Sequence, residues 1–272
     1  MFLEEISSLL KKRLSPELFK LPSEVYGIQY GSSDPKKIIK KIMLTLDLSV
    51  EAIHFAVINK VNLIISHQGL INNSIKKFSQ YLIKKLSLLS KYPISIFVLN
   101  SSFISAEGGV SETIRKALFL NLDSTFKITK KNGEDIPIGR ICMPKYYPNQ
   151  NGSLKLKDLI NRIKTNLELK KITYVGDLNK TINKICIIGG LNSNLKTLEK
   201  AVKEGCDCYI TCDIGYNEAI FAKEAGVILI KISHFKTGII SLQKLNNILS
   251  LEFPLEEFFF FESKDPFNIY ED

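Results

Sequence analysis

The chain contains three histidines, His54, His67 and His234. Two of them close apolar runs: "VNLIISH" ends on His67 and "VILIKISH" ends on His234. In parallel α/β sheets, ligands bind beyond the carboxyl ends of the strands. A neutral imidazole is a common transition-metal ligand. His67 and His234 are therefore the candidate metal ligands. Two imidazoles do not complete a site, because a catalytic zinc takes three protein ligands and dinuclear sites add a bridging carboxylate. Carboxylates at suitable places are Asp47, Asp213 and Glu107, the last beside Gly108-Gly109. One divalent metal, zinc or iron, held by His67 and His234 with Asp213 or water is one chemistry this set supports. Asp213 or Asp47 would then be the catalytic candidate, orienting water or acting as base. The plain alternative is that a strand-end histidine packs in the core.

The two histidines are related by more than composition. "EAIHFAVINKVNLIISH" (51–67) and "EAIFAKEAGVILIKISH" (218–234) align without a gap, matching in Glu, Ala and Ile at the start and Ile, Ser and His at the end. A helix followed by a strand fixes such a span, so an internal duplication is the economical explanation. His54 falls inside the helix, opposite Phe221, and reads as a surface or packing residue.

The elements that position these residues follow an α/β rhythm. Residues 4–14 carry a helical apolar stripe of Ile6, Leu9, Leu10 and Leu14. "IMLTLDL" reads as a buried strand, "VEAIHFAVINK" as a helix capped by Ser49 or Asp47, and "VNLIISH" and "YPISIFVLN" as further strands. "AEGGVSETIRKAL" opens another helix. "KNGEDIPIGRICMP" reads as a hairpin turning at Asn132-Gly133. It is followed by the loop "KYYPNQNGSLK", the amphipathic helix "LKDLINRIKTNL" and the strand "KITYVGDL". Strand and helix then alternate again through "KICIIGG", "LKTLEKAVKEG", "CDCYIT", "YNEAIFAKEAG" and "VILIKISH". Gly205 and Gly226 stand where helix ends favour φ > 0. The expected fold is two related α/β domains, with parallel or mixed sheets flanked by helices and a cleft between them. The expected division is 1–120 for the first half, 121–183 for a connecting segment and 184–272 for the second half.

Composition narrows the function classes. No apolar stretch is long enough to span a bilayer. The N-terminus lacks the basic start and unbroken apolar core of a signal peptide. The expectation is a soluble cytoplasmic protein. The net charge of +9, from 37 Lys+Arg against 28 Asp+Glu, permits attraction to nucleic acid. The lysines are dispersed, however, and no nucleic-acid-binding motif stands out. Five cysteines argue against a disulfide scaffold. Cys206, Cys208 and Cys212 lack Cys-x-x-Cys spacing and read as small buried apolar residues. "GGLNSN" follows a strand and opens a helix, so Gly189, Gly190, Asn192 and Ser193 form a candidate anion site for a phosphate-bearing small molecule. A tight strand–helix turn needs glycine in any case.

On these motifs the chain resembles the NIF-three-like proteins, also called GTP cyclohydrolase 1 type 2 homologues. Family members typically carry "LIIAHHPLIF", where this chain has "LIISHQGLI". They carry "HTNLDxAxGGVND", where this chain has "NSSFISAEGGVSE". Their long closing motif resembles "GGLNSNLKTLEKAVKEGCDCYITCDIGYNEAIFAKEAGVILIKISHFKTG", and their tail resembles "FFFFESKDPFNIY". The resemblance runs in order from about residue 1 to 270. The short connection over 121–183 suggests a member without the inserted domain of some relatives. The resemblance implies two facing α/β domains, a homo-oligomeric hexameric ring and a dinuclear metal centre. It implies five ligands: two adjacent histidines, an aspartate, a late histidine and a glutamate four residues beyond it. Here the first is His67, and the second falls on Gln68. The aspartate falls on Ile104, aligned through Gly108-Gly109-Val110. The late histidine is His234, and the glutamate falls on Gly238. A further family histidine near the cleft falls on Asn217.

Three of the five implied ligands are thus missing, at Gln68, Ile104 and Gly238. A neutral amide is a poor ligand for zinc or iron, and an isoleucine is none. The leading expectation is a diverged family member with a degenerate metal centre, acting as an oligomeric binding or assembly protein with no cofactor. A metal-dependent hydrolase with a rebuilt mononuclear site is the alternative, and a basic nucleic-acid-binding ring is the third. Whether the chain is an enzyme stays open at this point.

Overall fold

A computed structural model describes residues 1–21, 24–129, 133–145, 153–190 and 193–268. Along the chain come α1 (Leu3–Leu14), α2 (Pro16–Phe19), β1 (Gly27–Tyr30), β2 (Lys41–Thr45), α3 (Val50–Ile58), β3 (Leu63–Ser66), α4 (Gln80–Leu89), β4 (Ser95–Val98), α5 (Asn100–Ser105) and α6 (Val110–Ala117). They are followed by β5 (Leu120–Thr129), β6 (Asp135–Pro144), α7 (Leu156–Asn166), β7 (Thr173–Val175), β8 (Ile185–Ile188), α8 (Leu195–Lys203), β9 (Cys208–Thr211), α9 (Tyr216–Glu224), β10 (Ile228–Lys231), α10 (His234–Glu252) and β11 (Glu257–Phe261).

The chain divides into two compact units. One holds residues 1–16, 20–103 and 238–272, and the other 17–19 and 104–237. This differs from the expected boundary at 120 and from the expected separate connection at 121–183. Backbone pairing explains both differences. The long hairpin of β5 and β6 is hydrogen-bonded to β8 through β6, so it extends the second sheet instead of linking two halves. At the other end, β11 returns to pair with β2, which places the C-terminal segment in the first unit.

The first unit carries a five-stranded sheet in the order β1-β4-β3-β2-β11. All its neighbours run parallel except β1, which is antiparallel to β4. The β3 residues Leu63–Ser66 are all buried, as expected of a parallel strand covered on both faces. Ser49 provides the N-cap of α3, its hydroxyl accepting from Ala52 N at 3.1 Å.

The second unit carries a six-stranded mixed sheet, β5-β6-β8-β9-β10-β7, with β8, β9 and β10 parallel. Gly205 and Gly226 adopt φ of +81° and +65° at the ends of α8 and α9, as their positions predict. Gly133 has φ +82° at the β5–β6 turn, while Asn132 lies outside the described residues. α3 leads to β3, and α9 leads to β10, so both aligned segments are helix followed by parallel strand. The five cysteines are buried, and β9 covers only Cys208 of the Cys206, Cys208 and Cys212 set.

Candidate functional site

In the first unit, His67 directly follows β3. Its backbone N–H donates to Thr45 O at 3.1 Å, and its carbonyl accepts from Asn100 N at 3.0 Å. Only 1% of the residue is exposed. Its ring meets Phe103 edge-on, with centroids 5.6 Å apart. Gln68 is half-buried beside it, donating its N–H to Leu46 O at 3.0 Å.

The loop after Gln68 is held by Gln29, a residue that no sequence motif singled out. The Gln29 carbonyl accepts from Leu70 N at 2.6 Å and Ile71 N at 3.2 Å, and its amide donates to Ile71 O at 2.7 Å. Asn72 Oδ1 accepts from Gly69 N at 3.0 Å. Each such bond contributes about 1 kcal/mol net. We therefore expect Gln29→Ala to raise amide hydrogen exchange at Leu70 and Ile71 by tenfold or more, to about the rate that loss of 2 kcal/mol implies. Unchanged exchange would show that the loop is held by other contacts.

Two further candidates in this unit have local roles. Asp47 Oδ1 accepts from Ser49 N at 3.0 Å, and Asp47 O accepts from Thr45 Oγ1 at 3.0 Å, so Asp47 shapes the turn into α3. Gly238 lies in α10 against Leu46. A Cβ added there would sit 2.6 Å from Leu46 Cδ1, so Leu46 fills the space a side chain at 238 would need. His54 is exposed on α3.

In the second unit, His234 opens α10 instead of ending a strand, because β10 stops at Lys231. Burial lowers its imidazole pKa below the usual value, and the charge of Asp213 opposes that shift. Asp213, Glu107 and Asn217 are exposed. Ile104, in α5, is 6% exposed and packs against the turn after β8, where a Cβ added at Gly190 would come 2.3 Å from Ile104 Cδ1. Gly189 N donates to Ser111 Oγ at 3.0 Å, and a Cβ at Gly189 would come 2.8 Å from Val110 Cγ1. Close packing therefore accounts for both glycines.

Ser193 of the candidate anion turn is also engaged within the chain. Ser193 Oγ lies 3.0 Å from Tyr209 Oη, and Asn194 caps α8 by accepting from Thr197 N at 3.1 Å. Asn192 lies outside the described residues. Burial pushes the Cys142 and Cys212 thiols up to about 12 and lifts Cys208 well above its usual value. These three thiols are therefore neutral side chains of the core.

A buried charge network supports the α5–α6 turn. Glu112 pairs with Arg115 at 2.6 Å and with Arg140 at 3.4 Å. Arg140 also donates to Ser105 O at 2.8 Å and Ala106 O at 3.0 Å. Burial alone would raise the Glu112 carboxyl, but the hydrogen bond from Arg115 and the charges of Arg115, Arg140 and Lys116 hold it below its ordinary value. The Glu112–Arg115 spacing of three residues is readable on a helix, whereas Arg140, on a distant strand, is not.

A dinuclear centre of the kind the resemblance implies does not fit the residues present. Position 68 offers an amide, position 104 an aliphatic chain pressed onto Gly190, and position 238 no side chain and no room for one as Leu46 now lies. Among the described residues, no three His, Cys, Asp or Glu side chains are grouped to hold a metal ion.

The family model described as Duf34/NIF3 (NGG1p interacting factor 3) matches residues 1–266. A Clostridium perfringens protein named GTP cyclohydrolase 1 type 2 homolog is 28% identical over 272 residues, covering 98% of this chain and 99% of the relative. A Methanocaldococcus jannaschii protein of the same name is 24% identical over 242 residues, covering 89% and 92%. Among solved structures, a Staphylococcus aureus hypothetical protein superposes with a TM-score of 0.80 at 21% identity, covering 99% of both chains. A Bacillus cereus protein related to NIF3 also gives 0.80, at 17% identity and 99% of both chains. These structures show a shared fold.

Proposed function

The chain belongs to the Duf34/NIF3 family, and from that premise we propose that it is a member whose metal centre has degenerated, acting as an oligomeric binding or assembly protein. The observation that carries this reading is what stands at the implied carboxylate positions. Ile104 is buried against Gly190, and Leu46 takes the space beside Gly238. A site that had only lost its ligands would leave polar space. At each of these two positions an aliphatic side chain stands, which offers no electron pair to a cation. The name GTP cyclohydrolase 1 type 2 homolog is therefore not extended to a metal-dependent reaction in this chain. The geometry favours neither the mononuclear hydrolase nor the nucleic-acid ring.

Self-association into a ring, hexameric by family resemblance, and a cytoplasmic place of work complete the proposal. Among the described residues, no helix is long and apolar enough to cross a membrane. Light scattering before and after treatment with a strong chelator tests the assembly. The expected result is a homo-oligomer whose mass and melting temperature are unchanged by chelation. A monomer, or an oligomer that dissociates when metal is withdrawn, would overturn the proposal.

A further inference from the structure

The first unit has a concavity at the end of its sheet opposite to His67. It lies where β3 and β4 begin and β1 ends, has a volume of about 620 Å³ and is lined by Tyr30, Lys37, Lys91 and Tyr92 among others. That volume falls within the range of small-ligand sites. Its wall is built tightly. Gly31, at φ +80°, lies so close to the start of β4 that a Cβ there would come 2.2 Å from Ile94 O.

The electrostatics of the wall are unusual. Lys37 Nζ donates to Ser95 Oγ at 2.8 Å, to Pro93 O at 2.9 Å and to Asn62 O at 3.5 Å. All three acceptors are neutral. Burial lowers the Lys37 pKa, and no acidic neighbour counters the shift. Asp34 also borders the concavity, but its Oδ1 accepts from Lys36 N at 2.9 Å within its own turn. Lys37 and Lys91 against the single carboxylate of Asp34 leave the lining with a net positive charge. Lys91 adds a second cation on the exposed rim. Tyr30 and Tyr92 are half-buried, pack against the core of the sheet and line the concavity. Two aromatic rings beside two cations match a ligand with a flat ring and a negative charge.

We infer that this concavity binds a small phosphorylated aromatic ligand of the nucleoside monophosphate class, with its phosphate toward Lys37 and Lys91 and its ring against Tyr30 and Tyr92. The site is independent of the His67 and His234 positions and of the assembly reading. Calorimetric titration of the full chain at low salt with AMP, adenosine and inorganic phosphate as probes tests it. AMP binds saturably, and adenosine or phosphate alone binds at least about tenfold more weakly, since each keeps only part of the contact. Tyr92→Ala weakens AMP binding about tenfold, as loss of one stacked ring does. Lys91→Ala weakens it and flattens its salt dependence. Lys37→Met would also release the loop that Lys37 ties to β4, so the test rests on Tyr92→Ala and Lys91→Ala, each checked for an unchanged melting temperature. Three outcomes each overturn the inference: no saturable AMP binding up to about 10 mM, AMP binding that both variants leave unchanged, or phosphate binding as tightly as AMP.

Discussion

Replacing Ile104 with aspartate is expected to destabilise the protein by about 3–5 kcal/mol, and zinc is expected not to restore it. The wild-type side chain is 6% exposed and packs onto Gly190. Ile104→Asp removes that aliphatic contact and places a carboxylate where it finds no hydration. In a chain whose metal site needed only its ligands back, the new carboxylate would meet a cation, and added zinc would raise the melting temperature through linkage. Here Gln68 and Gly238 would still contribute no charge. Chemical denaturation with and without zinc measures both parts. A variant as stable as wild type, or one rescued by zinc, would show that position 104 still faces a working metal site. Ile104→Val serves as the control, with an expected cost of about 1 kcal/mol.

The second large effect lies in the buried network. Glu112→Gln is expected to cost about 3–5 kcal/mol, because it leaves the Arg140 guanidinium buried without its counter-charge. Arg140 is 5% exposed and binds the carbonyls of Ser105 and Ala106, so the loss reaches the turn that follows Ile104. The network also sets an acid limit. The folded Glu112 pKa lies below its ordinary value of 4.5. The unfolded chain therefore binds the proton first as pH falls. The contribution of Glu112 is complete above about pH 4.5 and is lost as pH falls through the folded value. Urea unfolding from pH 7 to pH 3 should show a steeper loss below pH 4.5 in wild type than in Glu112→Gln. Equal slopes would remove Glu112 from the acid response.

Much of this fold was readable because its strands are short apolar runs and its helices are marked at their ends. Ser49 before α3, and Gly205 and Gly226 after α8 and α9, are local signals, and local geometry honours them. The strand-end reading of His67 also holds, since β3 stops one residue before it. His234 departs from that pattern. "SHFKTGII" carries a glycine and three β-branched residues, a weak helix signal, yet α10 begins there.

The division of the chain was not readable, because it depends on which distant strands pair. Nothing local in "EFFFF" tells that β11 lies beside β2, or in "GRICMP" that β6 lies beside β8. The glycines of "GGLNSN" illustrate a different limit. Anion binding and close packing require the same residue, and only the positions of Ile104, Val110 and Ser111 reveal the packing role. Arg140 and Gln29 were missed for the same reason as the strand pairing. Their partners lie 28 and 41 or 42 residues away, at Glu112 and at Leu70 and Ile71.

On the proposed reading, aliphatic packing has replaced metal chemistry at Ile104 and Gly238, two positions of the implied ligands. The most direct test of this reading is the metal content of the full chain after incubation with excess zinc or ferrous iron and removal of loosely held ions, measured by plasma mass spectrometry. The expected result is far less than one metal per chain, with no difference between wild type and a His67→Ala/His234→Ala double variant. One or two tightly held metals per chain, lost in that double variant, would contradict it.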